Sequence, residues 1–140
     1  MHYVDTSVLV AALTREAETA RMQKWLAAQA AGELAVSAWV ATEFSAALSI
    51  KLRSGDIDMA HRAKALATFA VLCDRSFSLF EITNASFRCA AHFADQSQLG
   101  LRAGDALHLA ICAEHGGELC TLDRRLSAAG LALGVQTALL

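Results

Sequence analysis

The chain has 140 residues, of which 55% are hydrophobic, and this is enough to bury the core of one globular domain. Its formal net charge is −2, which excludes a protein that binds nucleic acid through a broad basic surface. No linker, charge block or internal repeat divides the sequence, so we expect a single domain over residues 1–140. No membrane-length apolar run and no N-terminal signal sequence is found, which predicts a cytoplasmic protein without membrane association.

The four cysteines show no C-x-x-C pair and no spacing typical of a zinc finger. In a reducing compartment, such cysteines are most simply small buried apolar residues. The sequence therefore predicts neither a disulfide framework nor a structural zinc ion. The residues concerned are Cys73, Cys89, Cys112 and Cys120.

The N-terminal segment combines a very short predicted strand, residues 2–4, with a carboxylate that follows it at once. An apolar helix pattern begins directly afterwards, so Thr6 or Ser7 is predicted to cap that helix. Asp5 then projects from the carboxyl end of the strand, where open α/β sheets hold their ligands. Taken alone, Asp5 fits a helix-capping or turn residue equally well.

Helix and strand patterns alternate along the rest of the chain, which predicts parallel strand pairing. Helix patterns cover residues 8–13, 16–30, 38–52, 59–73, 84–94, 105–113 and 124–129. Strand patterns cover residues 2–4, 34–36, 79–82 and 118–122, with a further edge strand at 131–135. The sequence therefore predicts an α/β fold, a three-layer α/β/α domain with a mostly parallel sheet of four or five strands.

Three further acidic residues lie at positions where a purely structural role does not readily explain a carboxylate. Glu43 is the only acid of the helix at 38–52, and a carboxylate on its apolar face needs a partner or a path to water. Asp105 lies in the first turn of a helix that is apolar nearly all round and therefore central, where the helix dipole favours a carboxylate. Asp123 ends the fourth predicted strand.

The lengths of these elements bring the acids to one edge of the sheet. The helix from Asp105 travels about 16 Å, and the strand before Asp123 returns about 16 Å. In a parallel sheet Asp5 ends its strand at that edge too, and Glu43 lies within reach. Crowded carboxylates repel one another unless some are protonated or a cation neutralises them. The sequence therefore predicts an oxygen-ligand site for Mg²⁺, with Mn²⁺ as the alternative.

Other catalytic families are excluded by missing motifs. Residues 5–7 lack the second acid of the D-x-D motif of haloacid-dehalogenase-like phosphatases, and no P-loop, G-x-G-x-x-G or G-x-S-x-G motif occurs. Two alternatives stay open at this point. One is another metal-dependent enzyme, either a DNA nuclease or a phosphohydrolase. The other is a non-catalytic α/β interaction module, whose acids bind a structural ion or a partner's basic residues.

Four motifs together resemble those of PIN-domain ribonucleases, and most of all the VapC toxins of bacterial toxin–antitoxin pairs. They are YVDTSVL at 3–9, ATEF at 41–44, GDALHLA at 104–110 and TLDRRL at 121–126. Each motif is weak alone, but the ordered set spans nearly the entire chain. The resemblance implies a PIN-like fold and an Mg²⁺-dependent endoribonuclease toxin that cleaves RNA with metal-activated water. It further implies a homodimer that a VapB-like antitoxin neutralises.

The resemblance also implies roles for individual residues. The acidic quartet around the metal would be Asp5, Glu43, Asp105 and Asp123. Asp5 and Asp105 would bind the metal directly, and the other two partly through water. Thr6 and Thr121 would orient the carboxylates or the nucleophilic water.

Basic side chains near these motifs have weaker assignments. Arg102, Arg124 and Arg125 could hold a substrate phosphate at the rim of the site, although solvated surface charge is the simpler interpretation of each one. His108 lies three positions after Asp105, but we interpret it as a helix-packed histidine with no catalytic role.

The predicted site also indicates how partners would bind. A pocket of up to four acids attracts an arginine or lysine, so the antitoxin is expected to insert a cationic side chain among them. The chain carries more large apolar residues than one small core requires. Those expected to lie in the core or to face a second subunit or an antitoxin helix are Trp25, Leu26, Trp39 and Phe69.

Overall fold

The computed structural model describes residues 1–140 and contains one sheet in which every strand pairing is parallel. The strands are β1 (His2–Val4), β2 (Leu34–Ser37), β3 (Phe77–Phe80), β4 (Glu118–Thr121) and β5 (Thr137–Leu139). Their order across the sheet is β3-β2-β1-β4-β5. The predicted α/β fold with a parallel sheet is confirmed, and the sheet has five strands.

Helices connect the strands and cover the sheet. They are α1 (Thr6–Leu13), α2 (Thr19–Ala27), α3 (Ala38–Ser54), α4 (Met59–Arg75), α5 (Asn84–Ala94), α6 (Ala103–Glu114) and α7 (Arg124–Ala132), with a short 3₁₀ turn at Ser97–Leu99. None of these helices combines the length and the apolar character needed to cross a membrane.

The strand order changes direction at β1, and this decides where the helices lie. From β1 the chain moves outward to β2 and β3, and it then returns to add β4 and β5 on the other side. Parallel crossovers are right-handed, so α1 to α4 cover one face and α5 to α7 cover the other, which gives the predicted three layers. The carboxyl ends of β1 and β4 meet at the switch point, where such sheets bind ligands.

The core is built on the central strand and on helix α6. Tyr3 and Val4 of β1 are fully buried because helices cover both faces of this strand. Every residue of α6 from Ala106 to Cys112 is buried, which confirms the central helix predicted from its apolar sequence. Asp105 is therefore carried by a rigid, buried element.

The predicted edge strand at 131–135 is wrong. Helix α7 continues to Ala132, and the chain then turns at Gly134, whose φ of +75° is a conformation that glycine adopts without strain. Only at Thr137 does the chain enter the sheet, opposite Leu119 of β4. The apolar residues at 131–135 resemble a strand because they combine the end of the amphipathic helix α7 with the buried Val135.

Strand β3 begins two residues earlier than the predicted strand at 79–82. Its register pairs Phe77 with Leu34 of β2. The chain leaves the sheet after Phe80 because Thr83 caps helix α5 as predicted, with its hydroxyl accepting hydrogen bonds from amides of the first turn. The first strand residues were missed because they lie next to the polar end of α4.

Helix α2 is shorter than the predicted helix at 16–30. The hydroxyl of Thr19 accepts from the backbone amide of Glu16 at 2.9 Å and donates to the carbonyl of Ala11 at 2.7 Å. These bonds hold a turn before the helix, so the helix begins only at Thr19. After its last turn the chain bends at Gly32, which has a φ of +84°, into β2.

The cysteines fall into two groups by burial. Cys112 and Cys120 are buried, whereas Cys73 and Cys89 are half-buried, and all four are free thiols. Burial raises the pKa of Cys112 and Cys120 to about 12, so both thiols keep their protons. These two behave as the small core residues that the sequence predicts.

Candidate active site

The carboxyl edge of the sheet carries four acidic side chains on different elements. Asp5 follows β1 and Asp123 follows β4, and each is the N-cap residue of the next helix. Asp105 is the third residue of α6, and Glu43 lies in the second turn of α3. An aspartate at a strand-to-helix junction is locally favoured, since its carboxylate accepts hydrogen bonds from the first helical amides.

Asp5 is buried and held through one of its two carboxylate oxygens. Its Oδ2 accepts hydrogen bonds from the hydroxyls of Ser7 at 2.5 Å and Thr121 at 2.7 Å, and from the amide of Ser7 at 3.4 Å. Asp5 is thus itself the cap of α1, and the prediction that Thr6 or Ser7 caps this helix is wrong. The chain is still extended at Asp5 and becomes helical at Thr6, two residues before the predicted start at residue 8.

Thr121 links the ends of β1 and β4. Its hydroxyl donates to Asp5 and accepts from the backbone amide of Asp123 at 3.0 Å. Ser7 adds a second link, because its hydroxyl accepts from the amide of Leu122 at 3.1 Å. Thr121 is fully buried, so water does not compete for these bonds.

Glu43 is also held through one oxygen. Its Oε2 accepts from the hydroxyl of Thr6 at 2.8 Å and from Nε2 of His108 at 2.6 Å. Burial by itself raises the pKa of Glu43, but His108, Thr6 and the nearby Trp39 together hold it below the usual value. The other oxygen, Oε1, lies beside Gly104.

Helix α6 places His108 between two of the acids. Its side chain is 1% exposed, with Nε2 2.6 Å from Glu43 Oε2 and 3.5 Å from Asp5 Oδ1. On the other side Nδ1 lies 3.1 Å from the hydroxyl of Tyr3, which lies 2.7 Å from the hydroxyl of Ser37. These four side chains form a continuous series of hydrogen bonds if Ser37 donates to Tyr3, Tyr3 donates to Nδ1 of His108, and Nε2 of His108 donates to Glu43. Burial raises the pKa of Tyr3, so the phenol keeps its proton.

His108 is packed in the core as predicted, and its Nε2 also lies close to two of the acids, so its position in the core does not separate it from the site. The signal in the sequence is its spacing of three residues from Asp105, which puts both residues on one face of α6. Tyr3 and Ser37 carry no such signal. A tyrosine in a buried strand and a serine at a helix cap both have ordinary structural explanations.

Asp105 and Asp123 form the more open half of the site. They line a cavity of about 120 Å³ together with Arg102 and Arg125. Backbone amides hold both acids, since Asp105 Oδ2 accepts from Arg102 at 3.3 Å and Asp123 Oδ1 accepts from Arg125 at 2.8 Å. Arg124 is exposed and does not line this cavity.

Negative charge is only partly compensated in this half. Burial raises the pKa of Asp105, and the charges of Asp123 and Asp5 raise it further, while the hydrogen bond from the Arg102 amide opposes the shift. No lysine or arginine forms a salt bridge with any of the four acids. The site therefore favours a bound cation.

Each of the four carboxylates uses one oxygen for hydrogen bonds within the protein and keeps the other free of them. Ligand atoms of Asp5, Glu43 and His108 lie within 4.8 Å of one another. Since Nε2 of His108 already donates to Glu43, the free carboxylate oxygens are the available ligands. Free carboxylate oxygens with excess negative charge fit a hard divalent cation such as Mg²⁺ or Mn²⁺.

Several solved structures share this fold. VapC20 from Mycobacterium tuberculosis, described as a sarcin–ricin loop cleaving toxin, is 21% identical, with a TM-score of 0.74 and coverage of 93% of this chain and 95% of that chain. PAE2754 from Pyrobaculum aerophilum is 26% identical, with a TM-score of 0.60 and coverage of 91% and 84%. A chain of a toxin–antitoxin complex from Klebsiella pneumoniae is 19% identical, with a TM-score of 0.65 and coverage of 91% of each chain. No curated protein matches at a significant level.

A family model matches nearly the whole chain, although the identities to the individual structures are low. Residues 2–131 match the family described as PIN domain, and this range contains all four acids and every residue that holds them. The motifs that resembled this family in the sequence are the ones that meet at the carboxyl edge of the sheet. The chain therefore belongs to the PIN-domain family.

Proposed function

We propose that this protein, with residues 1–140 forming one domain, is the nuclease toxin of a toxin–antitoxin pair, and more specifically an Mg²⁺-dependent endoribonuclease. Membership of the PIN-domain family, whose members are nucleases, supports the hydrolytic chemistry. The observation that carries the proposal is the group of four carboxylates at the switch point of the sheet, each with one oxygen free of protein hydrogen bonds. A phosphodiester is the substrate that such a charged, metal-binding group is suited to cleave.

Asp5 and Asp105 would hold Mg²⁺, or Mn²⁺ in its place, directly, and Glu43 and Asp123 partly through water. When bound, the ion would lower the pKa of a water molecule and would stabilise the negative charge that develops on the phosphoryl group. Asp105, whose pKa is raised by burial and by its acidic neighbours, is stabilised as a carboxylate in that state.

Side chains around the acids keep them in position. Thr121 fixes Asp5, while Thr6 and His108 fix Glu43. These donors are largely buried, so the carboxylates need little rearrangement when the substrate arrives. We therefore assign Thr6, Thr121 and His108 as positioning residues.

Basic residues beside the open half would bind the RNA backbone. Arg102 and Arg125 line the cavity next to Asp105 and Asp123, where they can hold a phosphate that flanks the scissile bond. Arg124 lies outside this cavity and would contribute only general attraction for the polyanion.

Similar structures support the toxin–antitoxin part of the proposal. VapC20 is described as a toxin, and the similar Klebsiella pneumoniae chain belongs to a toxin–antitoxin complex. We therefore propose a homodimer in the cytoplasm that is inhibited by a VapB-like antitoxin with a cationic side chain among the acids. Trp25 and Leu26 are only partly buried and suit such contacts, whereas Phe69 is 7% exposed and belongs to the core.

The nuclease assignment is tested by offering the purified, partner-free protein three substrates, namely single-stranded RNA, DNA of the same sequence, and p-nitrophenyl phosphate. We expect cleavage of RNA in Mg²⁺ or Mn²⁺, with 5′-phosphate products, and none in EDTA. Faster cleavage of DNA or of the small ester would assign the site to one of the enzymatic alternatives. Hydrolysis of none of the three would leave the non-catalytic interaction module.

Two variants make that test specific. Asp5→Asn, purified in parallel, should be inactive, which excludes a contaminating nuclease. Asp74→Asn changes an exposed acid near the end of α4 and should cleave like the wild type.

Light scattering of the purified protein tests the proposed homodimer, and co-purification with the product of the adjacent gene tests the proposed antitoxin. A monomer that binds no such product would contradict the partners and leave the nuclease assignment standing.

A further inference from the structure

An apolar pocket of about 290 Å³ opens beside the acidic site. It lies between the start of α3, helix α5 and the start of α6. Two aromatic side chains, Trp39 and Phe87, line it together with the buried residues Ala90, Ala106 and Leu107. No charged residue lines the pocket, so it is not a second phosphate site.

Gly104 lines this pocket and also lies beside Glu43 of the acidic site. A Cβ atom at this position would lie 2.8 Å from Oε1 of Glu43 and 3.3 Å from the indole ring of Trp39. Only the glycine backbone and the edge of the indole therefore separate the pocket from the acid. A ligand with a charged group at the acids can place a neighbouring planar group in the pocket.

Trp39 brings an unused hydrogen-bond donor to this boundary. Its Nε1 is buried and has no hydrogen-bond partner. The N–H lies close enough to Glu43 to favour its charged form, but it does not meet hydrogen-bond geometry with that carboxylate. A buried donor without an acceptor is unfavourable, so the site favours a ligand that supplies one.

We propose that this pocket binds a nucleobase of single-stranded RNA, next to the phosphodiester that lies at the acids. The inference rests on the proposed nuclease function and adds a subsite to it. Unpaired RNA bases stack on aromatic side chains and carry acceptors on their edges, which matches two aromatic rings and one unpaired N–H. The volume is just below the ligand-pocket range, which starts at about 300 Å³, and suits one base better than a protein helix.

The test uses the fluorescence of Trp39 in a non-cleaving protein. Trp25→Phe leaves Trp39 as the only tryptophan, and Asp105→Asn prevents turnover. The protein is titrated with a short single-stranded RNA and with counterparts that carry one abasic nucleotide at each position in turn. We expect the intact RNA to quench Trp39, and one abasic position to weaken binding about tenfold.

Phe87→Ala and Val71→Ala provide a matched pair. Both remove an exposed apolar side chain, which is 57% exposed at Phe87 and 52% at Val71, but only Phe87 lines the pocket. Phe87→Ala should reduce the difference between the intact and the abasic RNA. Val71→Ala, on α4, should leave this difference unchanged.

Equal affinity for all RNAs with unchanged Trp39 emission would overturn the inference. Emission that varies with protein concentration in the absence of RNA would assign the pocket to a second copy of the chain, and would also overturn it. The two proposals fail separately, because this readout needs no cleavage. Base-dependent quenching in a protein whose wild type cleaves no RNA would refute only the nuclease, whereas an active nuclease without such quenching would refute only the pocket.

Discussion

The two halves of the acidic site are held by different kinds of partner. Asp5 and Glu43 accept hydrogen bonds mainly from side chains, including those of Thr121 and His108. Asp105 and Asp123 accept theirs from backbone amides near the starts of α6 and α7. The first half is therefore fixed by residues that can be changed one at a time, and the second by the fold.

The halves also differ in how well their charge is compensated. The pKa of Glu43 is lowered because its donors outweigh the effect of burial, whereas the pKa of Asp105 is raised by burial and by its acidic neighbours. We infer that the buried half mainly sets the geometry of the site. The open half supplies more of the charge that draws a cation.

The largest expected effect is loss of cleavage when either half loses a carboxylate. Asp5→Asn and Asp105→Asn each remove one charge without changing shape, and we expect RNA cleavage to fall to roughly a thousandth of the wild-type rate. Single-turnover cleavage with circular dichroism as a check on folding measures this. A folded Asp5→Asn protein of normal activity would rule out the assigned role.

Removing the histidine between the acids should have a smaller effect. His108→Ala leaves Oε2 of Glu43 with Thr6 as its only partner, so the affinity for Mn²⁺ should fall about 10- to 100-fold. His108→Gln keeps an N–H group and should recover part of this loss. Calorimetric titration of both variants decides the point, since a lower Tm with unchanged metal affinity would mean that His108 only packs.

The open half should respond to loss of its arginine through substrate binding. Arg125→Ala should raise KM roughly fivefold with little change in kcat, as expected when a solvent-exposed charge contact of about 1 kcal/mol is lost. Arg124→Ala is the matched control, because this neighbour does not line the cavity. Equal effects of the two changes would mean that both act only through general attraction.

The smallest expected effect is on stability, and it depends on pH. The folded pKa of Asp105 lies above its usual value of 3.8, so the fold loses stability as the pH rises from 3.8 through the folded pKa, and no such loss occurs below pH 3.8. Asp105→Asn should therefore raise the Tm of the metal-free protein at pH 7 by about 2 °C. The gain should disappear at pH 3.5 and reverse in saturating Mg²⁺, which binds the carboxylate. Calorimetry in EDTA and in Mg²⁺ would show this, and a lower Tm in EDTA at pH 7 would contradict it.

The sequence indicates which acids meet, because three of them lie at the ends of helices or strands. The lengths of these elements can be read from the spacing of apolar residues. Asp5 and Asp123 follow strands that run in the same direction, and Asp105 begins a helix that matches the next strand in length. The cap of α1 was misassigned because residues 5–7 are all good capping residues, and capping preference alone does not choose between them.

The partners of these acids could not be predicted in the same way. The contact between His108 and Glu43 joins residues 65 positions apart, and it depends on how α6 packs against α3 across the end of the sheet. Strand β5 escaped prediction because it has only three residues and its place depends on the turn at Gly134. Both features are set by packing rather than by local pattern.

The hydroxyl of Thr121 joins two residues that lie 116 positions apart, with Asp5 near one end of the chain and Thr121 near the other. A ribosome releases the N-terminal part first, so β1 can pair with β2 early but must wait for β4 until the chain beyond α6 has been made. Until then Asp5 lacks the bond from Thr121, and Asp123 has not yet been added to the nascent chain. An acidic site built in this way is therefore incomplete in the nascent chain until the segment that carries Thr121 and Asp123 has been synthesised.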